Sequence, residues 1–343
     1  MEREEAKKTK NSINFPPFAM KNNDEILALF ENYLAQIQLP EEPQVLYSPI
    51  IYSMSGGGKR IRPTLLMLAC EAYGGNLQEA LPAAAAVEMF HNFTLLHDDI
   101  MDNAEVRRGK PSVYTKWGEN VAILSGDAMM IYSYQLLQRV PEQKLPRIME
   151  IFTPMALQVC EGQQYDMDFE TCAKVSVVEY MRMIELKTSV LLAGSAMIGA
   201  VLGNASPEEC RKVYRYALEL GLAFQLQDDL LDSYGTEAEL GKKIGGDILE
   251  GKKTYLMLQA MSRATEPDRE ILRKTHTDST LSDEEKIARV KDVYNRYDIP
   301  HFVEQQIALR FDKALALLDG LDLPAERTEH LRVFAQNLMG RKK

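Results

Sequence analysis

Apolar residues recur at helical spacing along almost the whole chain, and the strict alternation of a half-buried strand is nearly absent. This pattern restricts the fold more than any other feature. Backbone hydrogen bonds must close within each segment, and the apolar stripes must be buried against one another. "DEILALFENYLAQI" carries Ile26, Leu27, Leu29, Phe30, Tyr33, Leu34 and Ile37 as one stripe. "EALPAAAAVEMFHNFTLLHDDIMD" is built of strong helix formers, with Pro82 near its start, where proline is tolerated. The same periodicity predicts helices over roughly 119–139, 143–169, 176–203, 207–233, 252–263, 282–295, 300–319 and 325–339. Glycine-rich breaks fall at 56–58, 74–75, 203–207 and 235–251, and the last, "GTEAELGKKIGGDILEGKKT", reads as a lid. Asn-Gly hairpin signals are missing, and the "LLDGLD" near the end lies between helical patterns. The expectation is an all-α, single-domain bundle over 21–343, preceded by a loose tail over 1–20.

Hydrophobic residues make up 45% of the 343 residues, ample for one large core. The net charge of −10 argues against a nucleic-acid binder, which needs a basic face. The four cysteines, Cys70, Cys160, Cys172 and Cys210, form no CxxC pair, so neither a zinc site nor a disulfide scaffold is expected. They read as reduced thiols of a cytoplasmic protein. The N-terminus "MEREEAKKTK" lacks the apolar segment of a signal peptide. The longest apolar run, Ser189 to Gly203, is shorter than the ~20 residues of a membrane span and reads as a buried helix.

Against this background one stretch is anomalous. "LLHDDIMDNAEVRRG" places Asp98, Asp99 and Asp102 within five positions of an apparent helix. Like charges at i,i+4 cost a helix roughly 0.2–0.5 kcal/mol per pair. "FQLQDDLLD" repeats the spacing with Asp228, Asp229 and Asp232. Residues four apart share a face, so each motif presents a pair of carboxylates, and two such faces suit divalent cations. Mg²⁺ takes oxygen ligands, usually one or two carboxylates together with substrate phosphates. A di-iron bundle needs Glu-x-x-His on two helices. Only Glu88 and His91 have that spacing, so the di-iron reading fails on count.

Basic residues gather where an anionic substrate would need them. "SGGGKRIRPTLL" sets three glycines before Lys59, Arg60 and Arg62, with Pro63 opening a helix, an arrangement that suits phosphate. It is not a P-loop, because the leading glycine and the Ser/Thr are missing. Arg107 and Arg108 can fork onto phosphate oxygens. "ELKTSVL" puts Lys187 and Thr188 into an otherwise apolar helix, and Lys242, Lys243, Lys252 and Lys253 sit in the lid.

Taken in order, "GGKRIRP", "HNFTLLHDDIMD", "RRGKPS", "EGQQYDMDF", "KTSVL", "FQLQDDLLD" and "GKKIGGDILEGKKT" resemble the trans-isoprenyl diphosphate synthases across residues 25–340, and more particularly the short-chain polyprenyl synthases. The resemblance implies an isoprenoid-synthase bundle around a deep apolar cavity, a homodimer, and three Mg²⁺ per active site. It implies that Lys59, Arg62, His91 and Arg108 hold isopentenyl diphosphate. Arg107, Lys187 and Lys242 would grip the allylic diphosphate, with Thr188, Gln225 and Lys252 completing the polar wall. Asp98, Asp102 and Asp228 would ligate Mg²⁺, with Asp232 a further metal residue and Asp99 and Asp229 nearby. Gln163 and Asp166 match a further family pair. The implied reaction ionises the allylic C–O bond and joins the cation to the alkene of isopentenyl diphosphate.

In such synthases the residues before the first aspartate motif form the floor of the cavity. At 1.5 Å rise, Phe93 lies about 7.5 Å and Phe90 about 12 Å below Asp98. A helical wheel puts Thr94 nearly under Asp98 and Phe93 to the side, so the floor role of Phe93 rests on the resemblance. A phenylalanine there resembles synthases that stop at C15 or C20, and "HNFTLLHDDIMD" is closest to those making C20. A terpene cyclase is the rival reading, but "DDLLD" and "GGKRIRP" argue against it, as retention of both aspartate sets argues against a regulatory subunit.

Overall fold

The computed structural model describes residues 20–236 and 244–340. Residues 1–19 of the tail expected over 1–20, residues 237–243 of the lid expected over 235–251, with Lys242 and Lys243, and the last three residues lie outside these. The regular structure of the described residues is almost entirely helical: α1 Asn23–Leu34, α2 Gln44–Met54, α3 Ile61–Ala72, α4 Leu77–Met101, α5 Val113–Trp117, α6 Glu119–Leu137, α7 Leu145–Thr171, α8 Val177–Ile184, α9 Val190–Leu202, α10 Pro207–Tyr234, α11 Gly246–Leu249, α12 Tyr255–Arg263, α13 Glu266–Lys274, α14 Asp283–Arg296, α15 Ile299–Asp319 and α16 Ala325–Met339. Their starts are written locally. Asn22 and Glu25, Ser176 and Glu179, and Ser282 and Glu285 form reciprocal capping boxes on α1, α8 and α14. Ser206 caps α10 ahead of a proline at its first position.

In the main core α3 packs on α9, α4 on α6, and α10 on α9 and α15. A second apolar cluster, with Tyr180, Leu226, Ile248, Leu256 and Val303, joins α8 and the second half of α10 to the C-terminal helices. Residues 177–202 run as one helix of 26 residues, long and apolar enough to cross a membrane, but 78% of its apolar window is buried inside the fold. It is the central core helix. It contains a π turn, Glu185–Ser189, that periodicity does not predict.

The helices α2 and α13 also go beyond the sequence reading, as does a minimal hairpin pairing Val106–Arg107 (β1) with Lys110–Pro111 (β2). Its turn residues Arg108 and Gly109 have φ of 53° and 72°, the type I′ geometry that matches strand twist.

Candidate active site

Both aspartate motifs sit at the C-terminal ends of long helices. Asp98 and Asp99 occupy the last turn of α4 and Asp102 is its C-cap, while Asp228, Asp229 and Asp232 fall in the last two turns of α10. A helix C-terminus already carries about half a negative charge. These carboxylates therefore stand where a helix least tolerates them, and cations from other elements offset the repulsion. Asp98 accepts from Lys187 Nζ at 3.3 Å and has Arg107 Nη2 at 3.8 Å. Asp99 is buried and turned away, held by Arg107 through Nε at 2.7 Å and Nη2 at 2.5 Å. Asp102 is exposed, yet partial desolvation and then the neighbouring Asp98 charge raise its pKa.

The second motif repeats the division. Asp229 is buried and accepts from the Tyr180 hydroxyl and from Gln225 Nε2 at 3.1 Å. Burial, followed by the Asp247 charge, pushes it up to about 8. Asp228 stays half-buried and close enough to favour the charged form of Arg62. Asp232, paired with Asp228 in the sequence reading, is buried; its carboxylate accepts from Asp247 N–H at 3.1 Å and its carbonyl from Gly245 N–H at 2.7 Å. It anchors the turn into α11.

The π turn joins the two ends. Lys187 donates to Asp166 at 2.6 Å as well as to Asp98. Burial works against its ammonium, but Asp98 and Asp166 outweigh it and raise its pKa. Thr188 donates to Gln225 Oε1 at 2.9 Å, so a chain of hydrogen bonds runs Thr188–Gln225–Asp229–Tyr180. π turns cluster at functional sites, and here the extra residue brings adjacent side chains to different aspartate ends. Gly162 of α7 and Gly221 of α10 make room for it. A Cβ on Gly162 would lie 2.6 Å from Lys187 Cα, and one on Gly221 2.9 Å from Ser189 Cα.

The basic loop divides its arginines. Gly57 and Gly58 have φ of 74° and 130°, and Arg60 follows at 46°. That strained backbone turns Arg60 into the core, onto Glu88 at 2.7 Å, Glu31 at 2.8 Å and the Met54 carbonyl at 2.7 Å. Arg62 faces the site and donates from Nη1 to His91 Nε2 at 3.0 Å. Burial lowers Arg62 to about 10, and burial with the surrounding arginines holds His91 far below its ordinary value, hence neutral. Arg108 reaches back to the Gly57 carbonyl, and a Cβ on Gly58 would lie 2.9 Å from its Cζ. Lys59 is exposed on this loop. Lys252 pairs with Glu250 at 2.8 Å; burial works against its ammonium, but the charges of Asp102, Glu250 and Asp247 together outweigh it and raise its pKa.

A polyprenyl synthetase family model matches residues 43–296. The chain belongs to the polyprenyl synthetase family. It is 46% identical over 228 residues to a geranylgeranyl diphosphate synthase of Methanosarcina mazei, covering 66% of this chain and 70% of that protein. A short chain isoprenyl diphosphate synthase of Methanothermobacter thermautotrophicus is 38% identical over 290 residues, 84% and 85% of the two chains. A crystal structure of a geranylgeranyl pyrophosphate synthase superposes with a TM-score of 0.89 at 40% identity, over 94% of this chain and all of that one (100%).

This polyprenyl synthetase is therefore a prenyltransferase of the isoprenoid-synthase fold. Mg²⁺ dependence is general to the family. Its residues fit that ion. Among the described residues no three His, Cys, Asp or Glu side chains form a ready cage; Mg²⁺ is usually held by one or two carboxylates together with substrate phosphates and water. The crowded Asp98–Asp102 face offers oxygen donors whose repulsion a cation relieves.

Below Asp98 the synthetase stacks aromatics. Thr94 is half-buried and spends its hydroxyl on the His91 carbonyl at 2.8 Å. Phe93 and Phe90 are buried with ring centroids 5.4 Å apart, and Phe90 meets Phe152 of α7 at 5.5 Å. Sequence reasoning missed Tyr180 and left Asp166 without a role. Glu88, which it tested as half of a metal pair, is the partner of Arg60.

Proposed function

We propose that this synthetase condenses isopentenyl diphosphate with allylic diphosphates and stops at the all-trans C20 product, geranylgeranyl diphosphate. The observation that carries the reading is the convergence of both aspartate ends on one π turn, with Lys187 bridging Asp98 and Asp166 and Thr188 tied to Asp229 through Gln225. The names of the Methanosarcina mazei relative and of the superposed structure, both geranylgeranyl synthases, support C20.

Asp98, Asp102 and Asp228 are assigned to three Mg²⁺ ions, and Asp232 joins them only by releasing Asp247 N–H. When bound, the ions supply positive charge to the diphosphate oxygens. Lys187, Arg107 and the lid Lys242 would grip the allylic diphosphate. They stabilise charge on the leaving oxygen as the C–O bond ionises. Lys59, Arg62, His91 and Arg108 would hold isopentenyl diphosphate, with neutral His91 accepting from Arg62 and so orienting its guanidinium. The alkene attacks the allylic cation, and the proton lost passes to the departing diphosphate. Thr188, Gln225 and Lys252 close the polar wall. The Phe90–Phe93 stack keeps water from the cation and sets the floor, with Thr94 beside it.

The same proposal makes the enzyme a cytoplasmic homodimer. All four cysteines are free thiols. Along α6 the side chains of Leu124 and Ile131 are 59% and 58% exposed, with Ile123 and Met130 beside them, a stripe that a second copy would cover. Leu124→Lys with Ile131→Lys is expected to give monomers in sedimentation velocity; an unchanged dimer would place the interface elsewhere.

The test of function is a product assay. Purified enzyme, Mg²⁺ and labelled isopentenyl diphosphate are mixed with C5, C10 or C15 allylic diphosphate, and the dephosphorylated products are sized. The expected result is one C20 product from every primer. Termination at C15 keeps the chemistry and corrects the length, and no condensation with any primer refutes the reading.

A further inference from the structure

His97, between the aromatic floor and the first aspartate, belongs to neither the diphosphate site nor the metal face. It is one turn above Phe93 on α4, and the two rings meet edge-on at 4.8 Å and 70°. Its Nε2–H donates to the Ile123 carbonyl of α6 at 3.0 Å. Behind it stands Gly126, where a Cβ would lie 2.5 Å from His97 Cδ2. Three constraints therefore fix one half-buried imidazole: its place on α4, a hydrogen bond to α6, and a glycine-lined wall that leaves it nowhere to retreat. Phe93 in turn has His97 on one side and Phe90 on the other. Helical spacing makes 93 and 97 neighbours on one face, and the floor ring cannot swing toward α6 while the imidazole is held.

We infer that His97 is a specificity-determining positioning residue: pinned between Ile123 and Gly126, it locks the Phe93 ring in place and so sets the length at which the growing prenyl chain stops. The inference rests on the reading of Phe93 as the floor. Shortening His97 opens a space beside Phe93 into which that ring can turn. One further isoprene unit then fits where it was excluded. Discrimination by a hydrophobic pocket is worth about 10–200-fold per small group, so the change belongs in the product ratio rather than in total turnover.

The experiment sizes products from C15 allylic diphosphate for the wild type, His97→Ala, His97→Gln and Phe93→Ala. Each ratio of C25-and-longer to C20 product is internal to its reaction and independent of how much enzyme folds. The expected result is a ~10-fold or larger rise in that ratio for Phe93→Ala and for His97→Ala, with His97→Gln rising less because its amide can still donate to Ile123. If Phe93→Ala lengthens the product and no His97 variant does, the inference falls and the floor reading stands. If Phe93→Ala leaves the product at C20, both fall. A His97 variant with slower turnover and unchanged product ratio also overturns the inference, since it marks a purely structural role.

Discussion

Asp98→Ala is expected to lower kcat by at least ~10²-fold, the scale of losing one preorganised electrostatic contact, while the protein stays folded. The two halves of this expectation have different physical origins. Asp98 stands at the negative end of α4 beside Asp99 and Asp102. Its removal deletes two like-charge contacts and one unfavourable interaction with the helix dipole, each worth a few tenths of a kcal/mol. Against that gain stands the lost contact with Lys187, which keeps Asp166 at 2.6 Å. The melting temperature should therefore move little. Activity should not survive, because Asp98 is the carboxylate of the first motif that directly meets Lys187, the cation assigned to the allylic diphosphate. Asp99→Ala is the contrast. It strips Arg107 of its buried partner, so it should cost stability as well as rate. Steady-state turnover paired with a thermal melt separates the two variants, and near-normal turnover in Asp98→Ala would remove the central assignment.

Periodicity carried the architecture, because long amphipathic segments leave little freedom in helix type. Asp283–Arg296 and Ala325–Met339, for example, match the predicted 282–295 and 325–339 within a few residues. What stayed hidden depends on partners distant in sequence. Arg60 looks like Lys59 and Arg62, but a left-handed backbone and a glutamate 28 positions away make it a core residue. The middle aspartates differ from their neighbours in a way a wheel does show: residue i+1 lies about 100° around the helix, which turns Asp99 and Asp229 off the shared face. Asp232 has the right spacing for that face, but the α11 turn claims its carboxylate. The hairpin escaped because its left-handed pair is Arg108–Gly109 rather than Asn-Gly. Most hidden of all is the π turn. "ELKTS" has the composition of ordinary helix, and its marks are two glycines on other helices.

That dependence yields the second large effect. Gly162→Ala is expected to lower kcat/KM for the allylic substrate by ~10²-fold, the penalty of misplacing a reacting group by about 1 Å. The new methyl carbon would lie 2.6 Å from Lys187 Cα and 2.7 Å from the Leu186 carbonyl carbon. Both are backbone atoms, so no side chain can rotate aside. Either α7 backs away from the core helix or the π turn reverts toward regular helix. Each response carries Lys187 off the line between Asp98 and Asp166 and draws Thr188 from Gln225. Overpacking of this kind costs about 1–3 kcal/mol, which leaves the fold intact and visible in a melt. Gly221→Ala presses on the same turn less hard, at 2.9 Å from Ser189 Cα and Cβ, so its loss should be smaller and graded with the clash. Equal losses in the two variants would point to general destabilisation. Wild-type kinetics in Gly162→Ala would show that the site does not depend on where the π turn sits.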